Sequence, residues 1–385
     1  MNFIANEQSS SKRNLRVLYF TPVFNLKNTK IDTYMTKEVK SVVANYPNIE
    51  YLVYLANPRK NNEVIMYNER ILQVNRKTYK NIHFLKEAIK IFVKFKPHIV
   101  HSHYVVPSII INFFAKIFRV PTILHGRGQD VNYRPYRNVK SKILLLIAGK
   151  LNTLILTVCK SMKKDCMQFK IRRNKVKVIY NGIDYMFFVP KEKDFFSIQR
   201  PLELIHVGAL NPRKAQHLII EACKKLKENN IKFHLTLIGE GILKQKLIDL
   251  INKYKLKDSV DLLGNIEHYN LPKYLQKADL MVFPSLTEGL PNAVLEAMSM
   301  KLVVIFTRVD GNLELVQDVG TILVDINNPQ QLFDAIMHYY NNPSKFKIGG
   351  EINRNFIVKT FSWDKHAKEL YHVYNLLSHK KKDKK

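Results

Sequence analysis

Hydrophobic residues along this chain alternate between short continuous runs and longer stretches with a helical period. The runs LIHV, LTLI, LMVF and LVVIF in the second half are each of strand length. A run that is apolar at nearly every position fits a strand buried on both faces, as in a parallel sheet covered by helices. The longer periodic stretches between the runs predict those helices.

The same reading predicts six strands in each half of the chain. They are expected at 16–21, 51–56, 98–103, 122–125, 153–158 and 177–180, and then at 204–207, 234–238, 260–263, 280–284, 303–306 and 322–324. Regular alternation of strands and helices predicts an α/β fold with two Rossmann-like, doubly wound domains. A length of 385 residues fits two domains of roughly 200 residues each.

The pattern stops between residues 183 and 201, where Pro190 and Pro201 flank a charged KEKD segment. We therefore predict an N-terminal domain at 1–190 and a C-terminal domain at 191–362. A closing helix at 363–378 follows Ser362, a good N-cap. The remaining tail, 379–385, reads HKKKDKK and is too charged to pack, so we expect it to be disordered.

The net charge of +30 is unevenly distributed. Residues 1–190 contain 33 lysines and arginines against 10 acidic residues, and the rest contain 29 against 22. Nucleic acid, an anionic membrane surface and a phosphorylated substrate are all partners that fit, and simple solubility is the alternative. A nucleic-acid binder would cluster basic and aromatic residues on one module, and the sequence has no such module, so no nucleic acid is expected.

Three cysteines, Cys159, Cys166 and Cys223, have neither disulfide nor zinc spacing, which favours a reducing compartment. The polar first residues do not resemble a signal peptide, and no apolar run reaches the ~18 residues of a membrane span. We therefore expect a cytoplasmic protein, possibly peripheral on the cytosolic face of a membrane.

The segment FPSLTEGLPNAVLEA, 283–297, has the strongest chemical signal. A buried strand ends at Pro284, a loop with Gly289 and Pro291 follows, and a helix begins near Asn292. Free backbone N–H groups and the positive end of the helix dipole then lie at the carboxyl edge of the sheet, where diphosphates bind. Glu296, inside the helix, can accept hydrogen bonds from a ribose diol. A plain helix start with solvated glutamates is the alternative.

TEGLPNAVLEAM resembles the E-x7-E signature of glycosyltransferase family 4, the retaining enzymes of the GT-B fold. Nearly the whole chain shares the resemblance, through LIHVGALNPRKAQHLIIEA, VIYNGIDYMFFVP, HIVHSHY, TILHGRGQDV and FSWDKHAKELYHVY. It implies two Rossmann-like domains facing a cleft, with the closing helix returning to the first. It also implies sugar transfer from a UDP- or GDP-sugar to a glycan or a polyprenyl- or other lipid-linked acceptor, in surface polysaccharide or glycolipid assembly.

The resemblance also implies roles for individual residues. Those that would bind the substrate are Glu296 at the ribose, Gly289, Leu290, Pro291 and Asn292 around sugar and diphosphate, and Asp130 and Gly311. Those that would act in catalysis are His125 and Glu288 beside the donor sugar, and Lys214 and Arg213 at the leaving diphosphate. Fixed cations and N–H groups stabilise such a leaving group. Since no DxD motif is present, we expect neither a metal nor another cofactor, and we assign no nucleophile to Glu288.

The chain departs from the family pattern at four places. Ala209 replaces a frequent arginine, so Arg213 would serve in its place. The loop PVFNLKNTKIDTY has no glycine, HGRGQD has two extra residues before Asp130, and DGNLE replaces the usual GGxPE, keeping Gly311. These differences bear on the acceptor side and on the donor-sugar contacts.

Two further patterns have competing interpretations. His101 and His103 alternate at a strand end like a metal pair, but no third ligand is near in sequence, which favours a structural or pocket-edge role. A helix at 85–96 places Lys86, Lys90 and Lys94 along one face, which suits either an anionic membrane or an ordinary solvated surface. A nucleotide-sugar 2-epimerase is the main rival function, since it shares the fold and the donor.

Overall fold

The computed structural model describes residues 14–22, 34–56, 63–76, 82–132, 134–192 and 197–379. The chain forms two compact units, the first made of Met1–Gly182 with Trp363–Lys385 and the second of Ile183–Ser362. The division after Gly182 lies before the predicted boundary at residue 190. Ile183 already belongs to the second unit because its N–H donates to Phe361 O and it pairs with Ser362.

The first unit contains an eight-stranded sheet in the order β3-β4-β2-β1-β5-β6-β7-β8. Its strands are β1 Leu15–Thr21, β2 Ile49–Ala56, β3 Glu63–Asn68, β4 Ile71–Arg76, β5 Ile99–His103, β6 Thr122–Gly126, β7 Leu154–Thr157 and β8 Val176–Val178. All neighbours are parallel except β3 and β4, which are antiparallel.

The β3–β4 hairpin was not predicted. Its sequence, EVIMYNERILQVNR, has one short apolar run, VIMY, between polar residues, and β3 is an edge strand that leaves Val64 and Met66 exposed. The sheet is therefore parallel only from β4 onward, with an antiparallel strand added at its edge. Edge strands need less apolar surface than central ones, so periodicity alone misses them.

The second unit contains a six-stranded, fully parallel sheet in the order β11-β10-β9-β12-β13-β14. The strands are β9 Leu202–Val207, β10 Phe233–Ile238, β11 Val260–Gly264, β12 Leu280–Phe283, β13 Val303–Thr307 and β14 Thr321–Val324. Each coincides with a predicted strand to within two residues. The α/β class with two parallel-dominated sheets is confirmed.

Helices cover these sheets. Those of the first unit are α1 Tyr34–Asn45, α2 Ile82–Lys94, α3 Val105–Ile117, α4 Gln129–Asn132, α5 Arg134–Arg137, α6 Val139–Leu151 and α7 Lys160–Gln168. Those of the second are α8 Gln216–Glu228, α9 Lys244–Lys253, α10 Leu271–Lys277, α11 Asn292–Ser299, α12 Pro329–Tyr340 and α13 Ser344–Thr360. Among the helices that the structure describes, none combines the length and apolarity needed to cross a membrane.

The last helix, α14 Trp363–His379, packs in the first unit. It lies against α1 and buries Ala367, Leu370, Val373 and Tyr374 in the core under β1, β2 and β5. Tyr371 stacks on Tyr46 with ring centroids 3.7 Å apart. Predictions for residues 1–13, for most of the loop at 22–34 and for the tail at 380–385 lie outside the described residues.

Candidate functional site

The second sheet changes direction between β9 and β12. The chain runs from β9 outward through β10 to β11 and then returns to β12 on the other side of β9. The loops after β9 and β12 therefore leave the same carboxyl edge at a topological switch point, where open α/β sheets bind ligands. Arg213 and Lys214 lie on the first of these loops and Glu288 on the second.

Lys214 and Glu288 form a close ion pair across the two loops. Lys214 Nζ lies 2.6 Å from Glu288 Oε1, and Arg213 Nη1 lies 3.4 Å from the same oxygen. Lys214 Nζ also lies 4.4 Å from the ring centroid of Phe283, at the end of β12. Burial lowers the pKa of Lys214 from its ordinary value, and Glu288 opposes that shift. The arrangement holds a mostly buried cation where an anionic ligand can approach.

Local hydrogen bonds fix both loops. The Asn211 side chain accepts from the N–H groups of Arg213 and Lys214 and so starts the short 3₁₀ helix Pro212–Lys214. Leu286 N–H donates to Arg213 O, and Arg213 Nη1 donates to Thr287 O. Backbone hydrogen bonds therefore fix the loop that carries Arg213 and Lys214, in addition to the contacts of both side chains with Glu288.

Gly311 is required by the close approach of a third loop. A Cβ at this position would lie 1.7 Å from Gly289 O, so the loop after β13 touches the backbone of the loop after β12. Leu290 and Pro291 are buried at the start of α11, while Asn292 is exposed. The structure thus brings the predicted residues 288–292, Gly311, Arg213 and Lys214 into one cluster.

Glu296 lies one further turn into α11 and is also buried. His268 Nε2 is 2.8 Å from Glu296 Oε1. His268 belongs to the short 3₁₀ helix His268–Asn270 and stacks near Phe187. Sequence reasoning did not select His268, because nothing within EHYN distinguishes it from a surface histidine.

A second cluster lies at the carboxyl edge of the first sheet. His101 and His103 end β5, and His125 on β6 is in register with His103. The carboxylate of Glu38, on α1, accepts hydrogen bonds from Tyr19 at 2.8 Å, Arg127 at 2.6 Å and His366 at 2.9 Å. β1 lies between β2 and β5, so this is the switch point of the first sheet.

Burial and charge set the protonation of this cluster. Burial alone would raise the pKa of Glu38, but the Arg127 guanidinium, with the surrounding histidines, lowers it well below its usual range. Burial lowers the pKa of His101 to about 3 and the pKa values of His103 and His125 well below the ordinary range. The three imidazoles are therefore neutral at pH 7.

The donor atoms of Glu38, His101, His103 and His125 lie within 4.8 Å of one another, as metal ligands do. The fold thus brings Glu38 and His125 to the His101–His103 pair, which has no third possible ligand near it in the sequence. The Glu38 carboxylate, however, is already occupied by Arg127, Tyr19 and His366. A divalent cation would have to displace the buried guanidinium, so these residues fit an ion pair better than a metal centre.

Asp130 lies apart from the carboxylate of Glu38, in the short helix α4. Its residue surface is half-buried, but both carboxylate oxygens are enclosed. Burial raises the pKa of Asp130 to about 6, and nearby backbone N–H groups, including that of Val105, oppose the rise. Burial thus hinders the ionisation of the Asp130 carboxyl.

Glu38 and His366, which belong to this second cluster, were not predicted. Glu38 lies on the buried side of α1, with Met35 and Val42 at helical spacing. His366 lies on the buried side of α14 in the same way, four residues before Leu370. A charged or titratable residue on the apolar face of an amphipathic helix is a usable signal, because such a group needs a buried partner.

The family described as "Glycosyl transferases group 1" matches residues 188–363, and "Glycosyltransferase Family 4" matches residues 49–186. Together the two matches span most of both units. They bear out the resemblance that the TEGLPN segment suggests.

Two relatives match most of the chain. An uncharacterised glycosyltransferase of Methanocaldococcus jannaschii is 28% identical over 353 residues, covering 89% of this chain and 95% of the relative. The UDP-Gal:alpha-D-GlcNAc-diphosphoundecaprenol alpha-1,3-galactosyltransferase of Escherichia coli is 28% identical over 313 residues, covering 77% and 79%.

Among solved structures, Anabaena HepE in complex with UDP superposes with a TM-score of 0.75 at 16% identity, covering 94% of this chain and 100% of that one. A likeness at this identity concerns the fold, which is GT-B.

Proposed function

This chain belongs to the group 1 glycosyltransferases of family 4, and from that premise we propose that it is a retaining enzyme that uses a UDP- or GDP-sugar. The acceptor would be a glycan or a lipid-linked sugar in cell-surface polysaccharide or glycolipid biosynthesis. The observation that carries this proposal is the Lys214–Glu288 pair at the switch point of the second sheet, beside the N-terminus of α11.

Lys214 and Arg213 would stabilise the leaving nucleotide diphosphate. Negative charge grows on the diphosphate as the bond to the sugar breaks, and a fixed, desolvated cation favours that transition state. Lys214 Nζ donates a hydrogen bond to Glu288 Oε1. A bound diphosphate would compete for Lys214 and leave Glu288 free to accept hydrogen bonds from the sugar hydroxyls. Backbone N–H groups at 289–292 would add further donors.

Glu296 would bind the ribose. Its carboxylate is buried and accepts from His268, which holds it in one orientation. A carboxylate so placed can accept from both ribose hydroxyls, as acidic residues do in dinucleotide sites. His268, stacked near Phe187, would set the direction in which the carboxylate points.

His125 and Asp130, on the first unit, would lie beside the reacting sugar. His125 is neutral and buried at the carboxyl edge of the first sheet. We assign no protein nucleophile, because a retaining reaction in this family is thought to proceed on one face of the sugar.

The relatives support the choice of substrates. The Escherichia coli relative is named for a UDP-galactose donor and a diphosphoundecaprenol-linked acceptor, and the HepE structure contains UDP. We favour a UDP-sugar donor and a polyprenyl diphosphate acceptor on this basis.

We also propose that transfer needs no metal ion or other cofactor, because Lys214 and Arg213 supply the positive charge that a metal would give. Activity should survive exhaustive treatment with EDTA and should not rise when Mg²⁺, Mn²⁺ or Zn²⁺ is restored. Activity that depends on added metal would refute this proposal.

A basic stripe on α2 would hold the protein at the cytosolic face of a membrane. Lys86, Lys90 and Lys94 are exposed, and Ile89 and Val93 lie between them, 47% and 53% exposed. The spacing of these five residues places them on one helical face. A face that combines basic and apolar side chains suits an anionic lipid surface near the acceptor.

Binding of the donor provides the direct test. We would measure the thermal shift of the protein with UDP-, GDP- and ADP-sugars, since stabilisation grows with ligand concentration over the dissociation constant. One nucleotide should raise the melting temperature, and Glu296→Ala should abolish that rise. Glu351→Ala, which removes a glutamate of the same unit whose side chain is 45% exposed, is the matched control. No shift with any nucleotide at millimolar concentration would refute the proposed donor site.

Transfer itself is tested by adding a lipid-diphosphate-linked sugar to the enzyme and its donor. Product that retains the anomeric configuration of the donor supports the proposal. Donor that is epimerised without acceptor would instead identify a nucleotide-sugar 2-epimerase.

A further inference from the structure

A continuous line of polar groups connects the last helix to His125 inside the first unit. Tyr51 Oη donates to Tyr374 Oη at 3.4 Å, and Tyr374 Oη lies 2.6 Å from His101 Nδ1. His101 Nε2 then lies 3.3 Å from His125 Nδ1. All four side chains are buried, so solvent does not compete for these contacts.

The number of protons on these groups decides which atom donates in each hydrogen bond. Tyr374 accepts from Tyr51, and its own single proton is then directed to His101 Nδ1. A neutral imidazole has one N–H, so His101 carries its proton on Nε2 and donates to His125 Nδ1. His125 must then carry its own proton on Nε2.

The count requires that both rings are neutral. Burial lowers the pKa of His101 to about 3 and the pKa of His125 well below its ordinary range. Each ring therefore has one proton to place at pH 7, and the hydrogen bonds alone decide which nitrogen holds it.

Glu38 opposes this assignment weakly. Its Oε2 lies 3.7 Å from His125 Nδ1, which is beyond a hydrogen bond but would attract a proton to that nitrogen. The carboxylate already accepts from Tyr19, Arg127 and His366, which reduces its pull. The preference of His125 between its two tautomers thus depends on the proton that Tyr374 donates to His101.

We propose that Tyr374 is a positioning residue that acts through His101 to hold His125 in the Nε2–H form, so that His125 meets the sugar as a hydrogen-bond donor and not as a base. His125 Nε2 is buried and has no hydrogen-bond partner within the described part of the chain. The group it recognises is an uncharged sugar oxygen, a hydroxyl or the ring oxygen. The assignment rests on the proposed function, which places His125 beside the transferred sugar.

The tautomer can be read without substrate. Long-range ¹H–¹⁵N spectra of histidine-labelled protein at neutral pH distinguish Nε2–H from Nδ1–H, and His125→Gln assigns the His125 signals. We expect the Nε2–H form in the wild type. Tyr374→Phe should lower the ratio of Nε2–H to Nδ1–H roughly fivefold to tenfold, the worth of one buried hydrogen bond.

Tyr371→Phe is the matched control. It removes the same oxygen from the same helix, and that hydroxyl donates to Asn48 Oδ1 outside the line to His125. This variant should keep the wild-type tautomer. Nδ1–H in the wild type, or the same tautomer ratio in the two phenylalanine variants, would overturn the proposal. If Tyr374→Phe unfolds, the wild-type spectrum still tests the proposal, because it shows which nitrogen of His125 carries the proton.

Measurements of turnover distinguish a failure of the positioning role from a failure of the proposed transferase function. Tyr374→Phe should lower kcat and leave the affinity for nucleotide unchanged, and Tyr371→Phe should change neither. His125→Gln, whose amide can donate from a similar position, should keep more activity than His125→Ala. The expected tautomer in a protein without transferase activity would refute the function and leave the positioning role intact. Transfer activity in a protein whose His125 is in the Nδ1–H form would support the function and refute the positioning role.

Discussion

Lys214 Nζ lies 2.6 Å from Glu288 Oε1, and the two residues come from loops that leave neighbouring strands, β9 and β12. Both side chains are largely buried, at 12% and 8% exposure. In the proposed donor site, an entering diphosphate would replace the Glu288 carboxylate as the partner of the Lys214 cation.

Lys214→Ala should therefore lower kcat for transfer by about 10²–10³-fold, the usual loss when one fixed group that stabilises transition-state charge is removed. Steady-state kinetics with a fluorescent or radiolabelled donor measures this. Lys244→Ala is the matched control, because Lys244 forms a similarly short pair with Glu240, at 2.7 Å, whose side chains are 45% and 39% exposed. Exposed pairs contribute little, so that variant should behave as wild type. Equal losses in the two variants would rule out a special role for Lys214.

Gly311→Ala should disrupt the contact between the loop after β13 and the loop after β12. A Cβ there meets Gly289 O at 1.7 Å, and a backbone atom cannot move aside cheaply. We expect a destabilisation of about 1–3 kcal/mol and weaker nucleotide binding, measured by thermal melting with and without donor. Leu313→Ala, an exposed position on the same loop, should change neither quantity. Unaltered binding by Gly311→Ala would mean that the contact is not needed for the site.

Asp130 makes stability depend on pH. The pKa of this carboxyl is raised to about 6 in the folded protein, against 3.8 as its ordinary value. The folded state therefore binds the proton more tightly, and its stability falls as pH rises from about 4 to 6 and stays lower above that. Asp130→Asn lacks this cost and should be more stable at pH 8, by up to about 3 kcal/mol, with the difference vanishing near pH 4.

Urea unfolding at several pH values measures the effect. Asp258→Asn, at an exposed position, is the control and should follow the wild type throughout. Parallel stability curves for wild type and Asp130→Asn would show that the carboxylate is solvated. Reduced transfer by the stabilised variant would point to a role for Asp130 in the reaction itself.

Reversing the charge of the α2 stripe should detach the protein from anionic membranes. Each lysine near such a surface contributes about 1 kcal/mol, so Lys86→Glu with Lys90→Glu should reduce binding to phosphatidylglycerol vesicles at least tenfold. Co-sedimentation with these vesicles, and with neutral phosphatidylcholine vesicles, measures it. Lys232→Glu with Lys257→Glu makes the same charge change on the second unit. Equal loss in both double variants would indicate a general charge effect.

The sequence alone determined the features that depend on local pattern. Largely apolar runs marked the buried strands, so the α/β class and the positions of all strands except β3 and β4 followed from periodicity. The sequence also predicted a donor site at Glu288, Glu296 and Lys214, because these residues belong to segments whose strand, loop and helix are contiguous in the chain.

Only the tertiary structure decided which distant residues share one carboxyl edge. Glu38 and His366 are 328 positions apart and meet at 2.9 Å because α14 packs on α1. The same packing brings Tyr374 to His101. The order of the strands and α1 brings Glu38 and His125 to the His101–His103 pair, which lacks such partners locally. Periodicity says which face of a helix is buried, but the identity of the buried neighbour depends on the order of strands and helices in space.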